Sequence, residues 1–148
     1  MSRQSIVILS SVPPTVSHIG DPVRVDTWYT SAHNLNTISI VSSNFKGRVV
    51  VEASLKANPS DNDWFPILLN GNSYIDYPRN RLSTVPSPPL LSFSGGGLGA
   101  ETSTIAFNFS GRFTWMRAQV DRSLIVPADA NPIMIAACGL IDRILLNL

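Results

Sequence analysis

Residues 47–56, GRVVVEASLK, set Val49, Val51, Ala53 and Leu55 on one side of an extended chain and Arg48, Val50, Glu52 and Ser54 on the other. Side chains of a strand point alternately to its two faces, so a two-residue apolar period describes a strand buried on one face only. The same period recurs. SIVILSSV (5–12) opens as a strand that stops at Pro13-Pro14, and VRVDTWY (23–29) sets Val23, Val25, Thr27 and Tyr29 against Arg24, Asp26 and Trp28. NTISIVSS (36–43) places Ile38 and Ile40 together, and NFKG after it reads as a turn. WFPILLN (64–70) restarts a strand in which Pro66 marks an edge or bulge, NGNS is a tight turn, and YIDY (74–77) is a short strand. TSTIAFNFS and RFTWMRAQVD read as a hairpin about Ser110-Gly111, and NPIMIAACGLIDRILLNL as two strands broken near Gly139.

Helix signals are weak by comparison. Ile141, Ile144, Leu145 and Leu148 do fall at helical spacing, but their β-branched content and Gly139 favour a strand. Lys and Glu, the usual surface residues of helices, occur only at Lys46, Lys56, Glu52 and Glu101, while eleven prolines and nine glycines punctuate the chain. The pattern gives roughly eight to ten short strands and an all-β, antiparallel β-sandwich or jelly-roll-like single domain over residues 1–148. Segment 1–22 is a candidate N-terminal arm, and 78–101, with its prolines and glycines, a long loop of the kind that carries contacts.

Chemistry is sparse. A net charge of +1 lacks the basic excess of a nucleic-acid binder. No run reaches the roughly 18 apolar residues of a membrane span, and the N-terminus reads as a strand rather than a signal peptide. His18 and His33 lie in turn-like surroundings away from other ligating residues, so no metal site is expected. No Gly-x-Ser-x-Gly elbow presents a nucleophile, and SGGGLGAETST (94–104) lacks the Lys of a phosphate loop. SDND (60–63) is a turn without the ligand spacing of a calcium loop, and Cys138 reads as a small buried hydrophobe. These readings assign no catalytic, cofactor or metal residue, and the chain is expected not to be an enzyme.

The aromatics are concentrated. Phe107 and Phe109 share one face, while Phe113, Trp115, Arg117 and Gln119 share the next, so the rings are expected to meet as cross-strand pairs of a core rather than as a sugar-stacking platform. Arginine outnumbers lysine nine to two, which fits either a chain that makes planar, bidentate contacts at interfaces or a compositional drift of the genome.

Glu52, Ala53, Ser54 and Leu55, then Trp64, Phe65 and Pro66, then Phe109, Gly111, Phe113, Trp115, Met116, Arg117, Ala118 and Val120 form a pattern. It resembles the β-sandwich virion structural proteins of tailed bacteriophages, with the flavour of contractile-tailed phages that infect cyanobacteria. The resemblance covers about 47–123. It implies a non-enzymatic virion subunit, assembled in a host cytoplasm, that contacts copies of itself and other virion proteins as a head decoration, neck, collar, tail or baseplate piece. Glu52, Trp64, Phe109, Phe113, Trp115 and Arg117 are then the structural and interface candidates, with Phe113 and Trp115 in the core or its rim and Arg117 pairing with Glu52 across the sheets. Such sandwiches also resemble galactose-binding-like domains. The alternative is therefore a carbohydrate-binding, receptor-recognising module that takes a surface glycan at Trp64, Tyr74, Tyr77 and Arg79.

Overall fold

The computed structural model of the chain describes residues 5–10, 12, 13, 15–28, 35–77 and 101–147. Arg79, His33, Tyr29 and nearly all of the 78–101 loop lie outside these residues. Among the described residues ten strands run in chain order: β1 (Ser5–Ser10), β2 (Ser17–Ile19), β3 (Val23–Arg24), β4 (Leu35–Phe45), β5 (Gly47–Ser54), β6 (Phe65–Pro66), β7 (Ile75–Tyr77), β8 (Glu101–Ser110), β9 (Trp115–Asp121) and β10 (Leu140–Asn147). One short helix, α1 (Pro132–Ala136), precedes β10. Among the described residues no helix is long and apolar enough to cross a membrane.

All pairings are antiparallel, and they build two sheets. The first has the order β1-β10-β4-β8; in the second β9 and β5 are central, with β2 and β3 end to end along β9 and β6 and β7 end to end along β5. With β2/β3 and β6/β7 each counted as one broken strand, the two orders are 1-8-3-6 and 2-7-4-5, the winding of a jelly roll. The chain is an all-β sandwich.

The inner faces meet in one apolar layer. Ile38 and Ile40 of β4, Ile141, Ile144 and Leu146 of β10 and Ile105 and Phe109 of β8 face Val49, Val51 and Ala53 of β5 and Met116, Ala118 and Val120 of β9. The spacing of Ile141 and Ile144, which mimics a helix in sequence, comes from a register shift between Ile141 and Arg143 on β4. An extra residue there returns both side chains to the core face. A smaller cluster of Ile125, Val126 and Cys138 closes one end of the sandwich. Burial pushes the Cys138 thiol above its ordinary range.

Several local expectations are corrected. Residues 107–121 do not form a hairpin: β8 belongs to the first sheet and β9 to the second, so the chain at 111–114 crosses between layers. Asn36 Nδ2 donates to the Gly111 carbonyl (2.7 Å) at this corner, and Phe113 packs between Phe109 (6.2 Å) and Phe65 (5.9 Å), one from each sheet. NFKG likewise takes the chain from one sheet to the other, with Asn44 at φ 49° and Gly47 at φ 147°. The strand expected over 23–29 ends at Arg24, where Asp26–Trp28 curl into a 3₁₀ turn, and that expected over 64–70 keeps only Phe65–Pro66. Leu55 falls beyond β5 and is exposed. His18 lies in β2 rather than in a turn. Residues 5–10 and 17–19, expected within an arm, are strands of the two sheets. Residues 132–136 are helical: Asn131 Oδ1 accepts from the Met134 N–H (2.9 Å), and Pro132 occupies the first turn, where its missing N–H is no loss.

Candidate functional site

The outer face of the second sheet collects the polar and aromatic residues that its alternation turns away from the core. Register brings Glu52 of β5 directly opposite Arg117 of β9, and Arg48 directly opposite Asp76 of β7. Arg117 Nε lies 2.9 Å from Glu52 Oε1, and its guanidinium carbon sits 4.2 Å from the centre of the Trp64 ring. Arg48 grips Asp76 through two bonds of 2.7 and 3.1 Å and lies 3.8 Å over the Tyr74 ring. Arg24 grips Asp26 through bonds of 2.8 and 3.1 Å and lies 5.9 Å from the Trp115 ring. Each guanidinium thus has a carboxylate at its edge and a ring at its face, the two contacts that its planar geometry suits. The hydrogen bonds that Arg48 and Arg24 donate to these carboxylates raise both arginines above their ordinary value, and the bond from Arg24 holds Asp26 below its own.

Next to these units runs a groove of about 530 Å³ lined by Pro22, Asn58, Asp61, Trp64, Trp115 and Arg117, among others. Its wall is the 55–64 segment, which is tied down at several points. Trp115 Nε1 donates to the Ala57 carbonyl (2.9 Å) and Thr114 Oγ1 to that of Leu55 (3.1 Å). Asp63 accepts from both the N–H and the hydroxyl of Ser60 (2.7 and 2.9 Å) and pairs with Lys56 (3.2 Å). The Ser60 bonds, backbone first, hold the Asp63 carboxyl below the usual range. At the far end of the sheet, burial alone would raise Asp121, but hydrogen bonds from Ser123 and Ser17 hold it lower.

The residues singled out from sequence separate into two groups. Phe109 is buried and Phe113 packs against the core, whereas Glu52, Trp64, Trp115 and Arg117 meet on the outer face. Glu52 and Arg117 do pair, but between neighbouring strands of one sheet rather than across the sheets. Of the alternative sugar set, Tyr77 is buried in the core and Tyr74 lies against Arg48, a separate unit from Trp64. Among the described residues no group of three or more His, Cys, Asp or Glu side chains comes together to hold a metal.

Sequence reasoning missed Arg122, whose side chain is 1% exposed, the largest fully buried one described. Its terminal nitrogens donate to the carbonyls of Thr15 (2.8 Å) and Gly139 (3.0 Å), and its guanidinium lies 5.5 Å from the Phe45 ring. Nε has no hydrogen-bond partner among the described residues. Burial lowers its affinity for its proton from the ordinary value, though arginine stays charged in proteins. The only sequence signal was its place at the end of a strong strand.

The outer face of the first sheet differs. Its cross-strand rows read Ser5–Asn147–Thr37–Asn108, then Val7–Leu145–Ser39–Ala106, then Ser10–Arg143–Val41–Thr104. Arg143 is charged, and so is Asp142, the extra residue of the bulge, which faces the same way and accepts from Ser43 Oγ (2.6 Å). Compared with known families, with characterised proteins and with solved structures, the chain matches none.

Proposed function

We propose that the protein is a non-enzymatic structural subunit of a bacteriophage virion that works through protein–protein contacts, with copies of itself and with neighbouring virion proteins. The observation that carries this reading is the sparseness of charge on the first sheet's outer face, where Asp142 and Arg143 at the bulge are the charged side chains of the rows described. Interface cores are depleted of charged residues, because each such residue must shed its water when covered. Jelly rolls serve as capsid and lectin domains, and the winding observed here suits the first use as well as the second. The resemblance of 47–123 to tailed-phage virion proteins points the same way.

The test is quantitative mass spectrometry of purified phage particles, scoring the copy number against the major capsid protein. Hundreds of copies assign the protein to the head lattice. A few copies in a small multiple set by rotational symmetry assign it to the neck, tail or baseplate. Absence from particles overturns the reading.

A further inference from the structure

The groove bordered by Trp64 and Trp115 has the construction of a ligand site, and we infer that it binds a neutral oligosaccharide. Its volume, about 530 Å³, lies within the range of small-molecule sites. Both indoles are held before any ligand arrives: Trp115 by its bond to the Ala57 carbonyl, Trp64 by the guanidinium of Arg117 at 4.2 Å. Rings and loop that are already ordered lose little freedom on binding, which favours a weakly held, highly solvated ligand such as a sugar. The apolar C–H face of a pyranose matches an indole face, and the hydroxyls at its rim match the side chains of Asn58 and Asp61 that line the groove.

Charge selects among sugars. Arg24 is neutralised by Asp26, Arg117 by Glu52 and Lys56 by Asp63, which leaves the Asp61 carboxylate as the uncompensated charge among the lining residues. A sialic or uronic acid would meet that carboxylate unfavourably, whereas the paired hydroxyls of a neutral hexose can donate to it. A proline-rich peptide could also lie against two indoles, but it would leave the groove's carboxylate and amide without donors to match. This site shares only Trp64 with the sugar set expected from sequence. It does not rest on the virion reading: particle copy number and sugar binding are separate measurements, and either can fail alone.

The experiment is a titration of the full chain with neutral hexasaccharides of glucose, mannose, galactose and N-acetylglucosamine. Tryptophan fluorescence and calorimetry read it, with sialylated and uronic-acid oligosaccharides and the peptide VPSPPLL as comparisons. The expected result is a saturable response to at least one neutral sugar, weakened about tenfold or more by Trp115→Ala and by Asp61→Ala. Asp61→Ala removes an exposed side chain and is expected to leave the melting temperature unchanged, which guards against a loss of binding through misfolding. A flat response to every neutral sugar overturns the proposal. So does affinity unchanged from the parent chain in both variants, or binding of the acidic sugars or the peptide alone.

Discussion

Glu52 and Arg117 are register partners on adjacent strands, joined at 2.9 Å, with side chains only 17% and 16% exposed. The pair is too covered to be a loose surface bridge, yet its rim still touches water. Breaking it leaves one charge behind, and the two possible remainders are unequal. A carboxylate can neutralise itself by taking up a proton, but a guanidinium cannot give its proton away.

Glu52→Ala is therefore expected to destabilise more than Arg117→Met, which keeps an unbranched side chain to lie on Trp64. The first should cost about 1–3 kcal/mol, between the values for exposed and buried pairs. Denaturant unfolding of both variants checks the order; Arg117→Met as the worse of the two would show that the stack, not the stranded charge, dominates.

Acid should loosen the second sheet's outer face before it unfolds the core. Asp26, Asp63 and Asp121 are all held below the ordinary 3.8 in the folded chain. A depressed carboxylate contributes stability that is present above its unfolded value and lost as the pH falls toward its folded one. The window is thus below about pH 4. Tryptophan emission followed against pH should move there, and Asp63→Asn should remove the part that comes from the 55–64 segment. A transition centred near pH 6 would instead point to a histidine.

Arg122→Ala should be among the most damaging single changes. It strips the Thr15 and Gly139 carbonyls of their donor and opens a cavity beside Phe45. Loss of at least about 2 kcal/mol is expected, since buried groups left without partners and cavities are the usual sources of large effects. Thermal melting checks it. Arg122→Lys should rescue only part of the loss, because an ammonium lacks the fork that spans two carbonyls.

Two glycines with positive φ should respond differently to alanine. At Gly139 (φ 66°) a Cβ would collide with the carbonyls of Ser43 and Asn44, whereas at Gly71 (φ 80°) it would meet open space. Gly71→Ala should cost about 1 kcal/mol from backbone strain alone, and Gly139→Ala several times as much. Paired melting curves decide it; equal losses would mean that the corner at Gly139 can shift.

Alternation found the core residues of β4 and β5 because burial on one face leaves a direct trace in residue order. It also set Glu52 on the outward side of β5, but it put Arg117 on a row with Phe113 and Trp115 that was expected to face the core, and only the resemblance suggested its pairing with Glu52. It could not tell whether β8 and β9 pair, since 107–121 alternates the same way whether the chain folds back or crosses over. That choice is made by distant partners, β4 for β8 and β5 for β9. The stack of Trp64 on Arg117 was hidden for a similar reason: it depends on where the 55–64 segment returns. The helix at 132–136 was legible in Asn131-Pro132, a cap that the strand reading of the closing run passed over.

β10, made after the other described strands, lies between β1 and β4 in the middle of its sheet. A chain emerging from a ribosome therefore holds two strand edges apart, with a vacant slot between them, until residues 140–147 are free. During that interval the slot can accept β10 from another emerging copy as readily as its own. Synthesis on crowded messages thus favours exchanged pairs.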